Sequence, residues 1–152
     1  MTPSLADIRS LTVTASPQAL FATLCDEHSL SHWWGPDGFS STVHAFGTQP
    51  GARWLLTLHG PDGARYPNEY RVLECVPDRL LVLDHPSADH HFVLRIALQP
   101  QGDSTQVHWE QRFDSAEDFA PLAGFLAEAN KQVLARLARE VQRRAAAQDA
   151  TS

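Results

Sequence analysis

Cysteine is scarce in this chain and long apolar runs are missing. The 152 residues include 2 cysteines, Cys25 and Cys75. One lies in a helix-like stretch and one at a strand end, with neither a CxxC pair nor the spacing of a zinc or redox site. Both read as buried reduced thiols without chemistry. No window approaches the ~20 apolar residues that cross a bilayer, and the opening MTPSLADIRSLTV has no basic stretch leading into an apolar one. The expectation is a cytoplasmic protein with no membrane span. Positive charge is also short, 12 Lys and Arg against 18 Asp and Glu for a net charge of -6. That balance argues against nucleic acid as a partner, because sequence-independent phosphate attraction needs the opposite sign. Glycine-rich phosphate loops (GxGxxG, Walker A), GxSxG and HExxH do not occur. Nothing in the chain therefore predicts ATP hydrolysis or nucleophilic catalysis.

What is present fits one α+β domain over 1–152, with a core at about 8–144 and a frayed alanine-rich tail over 145–152. Ile8, Leu11 and Val13 mark a first strand that ends at Ser16-Pro17, a hydroxyl cap followed by a first-turn proline, so a short helix runs to about Cys25. Asp26 interrupts, and EHSLSHWW is a second helical turn that delivers Trp33 and Trp34 to Gly35. The period then becomes two. Strands are predicted around 39–46, 52–60, 66–75, 79–85, 91–99 and 105–113, separated by short turn-rich gaps that imply an antiparallel meander. The unit Gly-Pro-Asp-Gly occurs twice, at 35–38 and 60–63, and both copies suit tight turns. From about Asp118 to Arg144, with Ser115 as cap, one continuous helix is predicted. Its apolar face carries Phe119, Leu122, Leu126, Ala129, Val133, Leu137 and Val141, and Pro121 falls in or just before its first turn. Such a helix spans roughly 40 Å and must lie across the sheet.

Strand parity selects the side chains that can face an interior. If Trp54, Leu56 and Leu58 face in, so do Tyr66, Asn68, Tyr70 and Val72; Phe92, Leu94, Ile96 and Leu98; and Val107, Trp109, Gln111 and Phe113. The carboxylates of Glu69, Glu74 and Glu110 then face out. This lining is apolar and aromatic except for Asn68 and Gln111. Those two amides either orient a ligand or are satisfied by backbone or water. The candidate ligand-binding set is Trp34, Trp54, Leu56, Asn68, Tyr70, Phe92, Leu94, Trp109 and Gln111 from the sheet side, with Leu122, Leu126 and Val133 from the helix. Trp33 and Trp34 lie roughly 100 degrees apart on a helical turn. Either both close the core, or one does while the other lines the entrance or a surface contact. Asp84, His85, Asp89, His90 and His91 are a mixture that zinc or copper accepts, yet neighbouring histidines point to opposite strand faces. His28 and His32, at i and i+4, read as surface or cap residues. Neither a metal nor a cofactor is expected.

Several of these stretches together carry a resemblance. WWGPDGF, PGARW, the GPDG hairpin, ECVPDRLLVL, TQVHWEQ and the long terminal helix resemble the SRPBCC, or START-like, superfamily. Within it the chain is most similar to the family named after the C-terminal domain of the activator of heat-shock-protein-90 ATPase, from Ile8 to about Arg144. Relatives usually carry an arginine and a Gly-Gly pair before the third strand, where this chain has Gln49 and Gly51-Ala52. The resemblance implies a helix-grip fold, an antiparallel sheet wrapped around a long C-terminal helix with a cavity between them. It also implies ligand-binding or stress-related roles. The eukaryotic activator acts with a further N-terminal domain, for which a chain filled by one domain has no room. The reading that results is binding of a small hydrophobic or amphipathic molecule. A co-chaperone-like module that contacts a chaperone or itself comes second, and a cyclase- or hydrolase-type enzyme third. An open apolar cavity of several hundred cubic ångströms favours the first, a filled interior with an exposed apolar patch the second.

Overall fold

The computed structural model describes residues 4–87 and 90–151. Seven strands, β1 (Ala6–Val13), β2 (Ser40–Ala45), β3 (Arg53–His59), β4 (Arg65–Val76), β5 (Leu80–His85), β6 (Phe92–Gln101) and β7 (Ser104–Phe113), form one sheet in the order β1-β7-β6-β5-β4-β3-β2. Every pairing is antiparallel. The short gaps after β2 make the six-strand meander, and β1 returns to close its far edge against β7.

Two short helices, α1 (Pro17–Leu24) and α2 (Glu27–Trp33), carry the chain from β1 to β2 at opposite edges of the sheet. Ser16 Oγ accepts from Ala19 N at 3.1 Å with Pro17 in the first turn. Asp26 caps α2 through Ser29 N at 2.9 Å, which explains why it interrupts the helical pattern without ending it. The 60–63 turn closes as expected, with Gly63 N donating to Gly60 O at 3.0 Å and Gly63 at φ 86°.

The C-terminal helix differs from expectation at both ends. Ser115 Oγ does accept from Asp118 N at 3.1 Å, but α3 (Ala116–Phe119) passes into a 3-10 turn over Ala120–Leu122 before α4 (Ala123–Thr151) begins. Pro121 has no N–H to donate to the carbonyl four residues back, so the first turn tightens instead of continuing. At the other end α4 runs on to Thr151, through the tail predicted to fray. Alanine's high helix propensity carries the regular backbone through it. Leu126, Ala129, Val133, Leu137 and Val141 are buried on one stripe of α4, which packs on α1, α2 and β1. This is the helix-grip arrangement implied by the resemblance. The core beneath α4 joins Trp33, Trp34, Trp54, Leu56, Leu81, Leu83, Ile96 and Trp109 to that stripe. Among the described residues no helix is long and apolar enough to cross a membrane.

Candidate functional site: an aromatic cavity beneath the long helix

A cavity of about 410 Å³ lies between the sheet and the N-terminal half of α4. Of the predicted set, Trp34, Tyr70, Phe92, Leu94, Trp109, Gln111 and Val133 line it, and Leu58, Tyr66, Phe39, Phe125, Ala129 and Asn130 join them. Phe125 and Tyr66 are 67% and 46% exposed and mark the mouth. The described lining contains no carboxylate, imidazole, thiol, lysine or arginine.

Trp34 organises the inner wall. Its ring lies edge-on to Tyr70 at 5.2 Å, to Trp54 at 5.8 Å and to Trp33 at 5.2 Å, the offset geometry that aromatic quadrupoles favour. Trp33 is fully buried in the core, so the adjacent tryptophans divide the work: Trp33 closes the interior and Trp34 faces the cavity. The chain turns sharply after them because Gly35 adopts φ 100°, where a Cβ would stand 3.1 Å from Phe39 Cβ and 3.2 Å from Leu58 Cδ2. Arg136 of α4 holds this turn in place. Its Nη1 donates to Gly35 O and Pro36 O at 2.6 and 2.8 Å, and its Nη2 to His32 O and Phe39 O at 2.6 and 2.7 Å.

The other predicted residues lie elsewhere. Trp54 faces inward but stacks on Phe46 at 4.9 Å and donates Nε1–H to Gly47 O at 2.7 Å, so it supports Trp34 from behind. Leu56 and Leu126 are buried in the core away from the cavity, and Leu122 is carried aside by the 3-10 turn. Asn68 is satisfied locally: its Nδ2 donates to Tyr66 O at 3.2 Å and its Oδ1 accepts from Tyr70 Oη at 3.3 Å. Burial pushes the Tyr70 phenol well above its ordinary range and keeps it neutral.

Sequence reasoning missed the polar floor of the site. Asp7 on β1 pairs in register with Gln111 on β7, and Asn130 of α4 meets both, its Nδ2 donating to Asp7 Oδ2 at 2.9 Å and to Gln111 Oε1 at 2.8 Å. Arg9 completes the group through Nε to Asp7 Oδ2 at 2.9 Å and Nη2 to Asp7 Oδ1 at 3.1 Å. The signal lay in β1: parity with Leu11 and Val13 puts Asp7 and Arg9 inside and leaves Ile8 67% exposed.

The described members of the His/Asp segment engage separate partners. Asp89 lies outside the described residues. His91 bridges two carboxylates, Nε2 to Asp84 Oδ1 and Nδ1 to Asp114 Oδ1, both at 2.7 Å. His85 donates Nδ1–H to His90 O at 2.9 Å and stacks on Phe92 at 4.4 Å. Among the described residues no three His, Cys, Asp or Glu side chains gather as a metal would need. The rings of His28 and His32 meet edge-on at 5.0 Å. Cys25 and Cys75 are free, half-buried neighbours, and burial together with Cys75 raises the Cys25 thiol to about 12.

Comparison with known proteins fits this architecture. The sequence profile of the Activator of Hsp90 ATPase homolog 1-like protein family matches residues 14–142, which include α1, α2, β2 to β7 and the first two thirds of α4. The chain belongs to that family. Comparison with curated proteins gives no match. Among solved structures, a protein from Arthrobacter aurescens superimposes with a TM-score of 0.85 at 17% identity, covering 91% of this chain and 87% of that one. A protein from Nitrosomonas europaea gives 0.83 at 14% identity over 92% and 96%. The AHSA1 protein from Silicibacter pomeroyi gives 0.73 at 21% identity over 91% and 99%. At these identities the likeness is one of fold, and the family's helix-grip architecture is shared along nearly the whole chain.

Proposed function

We propose that this family member binds a small hydrophobic or amphipathic molecule in the cavity under α4. One observation carries the reading: a space of about 410 Å³ walled by Trp34, Tyr70, Phe92 and Trp109 beneath the long helix. The volume falls within the ~300–1,000 Å³ range of ligand pockets, and the ratio of many apolar walls to few polar groups is theirs as well. The described lining holds no carboxylate, imidazole, thiol or amine, and its Tyr70 phenol is held neutral by burial, which supports binding over acid–base or nucleophilic chemistry. Transfer of an apolar body from water into this space is favourable by about 25 cal/mol per Å² buried.

Titration with 2-ethylnaphthalene tests the reading. Trp34 and Trp109 border the cavity while Trp33 and Trp54 sit behind it, so emission should change saturably. Trp109→Phe should reduce the change without abolishing saturation. A change that rises linearly with probe, or none across a broad apolar library, would overturn the proposal and favour the protein-interaction alternative.

A further inference from the structure

The polar floor of the cavity has a direction. Asp7, Gln111 and Asn130 are each less than a tenth exposed, and an ionised carboxylate can only accept hydrogen bonds. Asp7 therefore requires the amino end of Asn130, not its carbonyl, and takes that bond at 2.9 Å while Arg9 balances its charge. The second hydrogen on the same Asn130 nitrogen meets Gln111, which must turn its carbonyl toward it, at 2.8 Å. Gln111 is then left with its amino group unbonded, since Nε2 has no hydrogen-bond partner among the described residues and, unlike the sealed Trp109 Nε1–H, stays accessible from the cavity. Both amides line the cavity. Each orientation in the relay thus follows from Asp7, and the relay ends in an N–H donor open to whatever fills the cavity, water or an occupant.

We infer that the cavity selects an uncharged, mostly apolar molecule bearing a carbonyl oxygen, with Gln111 Nε2 as the donor to that oxygen and Asp7 as the positioning residue that sets the donor's polarity. This rests on the ligand-binding reading above and adds the chemical class. An uncharged acceptor is favoured over a carboxylate because the described lining holds no lysine, arginine or histidine. A buried anion there would have no counter-charge, and Asp7 already supplies one negative charge behind the amides. Asp7 and Arg9 precede the stretch matched by the family profile, so the relay joins an element outside that stretch to two inside it.

Three probes on one ring system test the inference: 2-acetylnaphthalene, its near-isostere 2-ethylnaphthalene, and 2-naphthoate. In the parent protein the ketone should bind several-fold to about tenfold more tightly than the hydrocarbon, the worth of one net hydrogen bond, and the carboxylate more weakly than either. Gln111→Met should bring the ketone-to-hydrocarbon affinity ratio close to one. Asp7→Asn should lower the same ratio, because an amide at position 7 can present either end to Asn130. The ratio is measured on the folded fraction, with thermal melts of both variants alongside, so lost stability alone does not move it. A ratio of one in the parent, a ratio unchanged in Gln111→Met, or tightest binding of the carboxylate would overturn the inference while leaving the cavity reading standing. Failure of all three probes to bind would overturn both.

Discussion

Replacing Arg136 probes the link between the long helix and the cavity wall. Its guanidinium donates to four backbone carbonyls within 2.6–2.8 Å, all in the segment from His32 to Phe39 that carries Trp34 and the Gly35 turn. A hydrogen bond from a charged donor contributes about 1.5–3 kcal/mol when its loss leaves a buried acceptor. Water reaches the His32 end, where the contact is exposed, and bonds sharing one side chain do not add. Arg136→Ala should therefore cost about 2–4 kcal/mol, not four full bonds. With a urea slope near 2 kcal/mol per M, the midpoint should fall by about 1–2 M. Arg136→Lys should recover less than half, because a single ammonium cannot span carbonyls now divided between two nitrogens. Near-UV circular dichroism and 2-ethylnaphthalene affinity should decline with stability, since Trp34 loses its anchored turn. A cost below about 0.5 kcal/mol for the alanine variant, or a lysine variant as stable as the parent, would refute the clamp.

Two further changes bear on packing and charge. Leu126 is buried against the core and not on the cavity, so Leu126→Ala should cost about 2–5 kcal/mol in chemical denaturation, and a loss under 1 kcal/mol would place open space beneath it. His91 is raised above its ordinary value of 6.5 by its hydrogen bonds to Asp84 and then Asp114. Its contribution is fully present below about pH 6.5 and is lost as pH rises through the raised folded-state value. His91→Gln should accordingly lower the melting temperature more at pH 6 than at pH 9; equal losses at both would show that the bridge carries no net charge pairing.

The order of elements was legible because hydrophobic period, caps and turn residues act over a few neighbouring residues. Ser16-Pro17, Ser115 with Asp118, and the 60–63 turn do in the structure what their local chemistry requires. Parity likewise placed Trp54, Tyr70, Trp109 and Gln111 on one face, since a strand's side-chain alternation is a property of the strand alone. Which of those inward residues border a cavity was settled only in three dimensions. Trp54 and Tyr70 share a cross-strand pair, yet Phe46 and the Gly47 carbonyl fill the space around one while the other stays at the wall. A cavity is the volume left over after every neighbour has packed, and no run of sequence encodes that remainder. The contact between Asp7 and Asn130 spans 123 positions, and the Arg136 clamp about 100. Such contacts depend on how α4 docks on β1 and on the turn after α2. A single chain shows the donors and acceptors; the docking of rigid elements decides which of them meet.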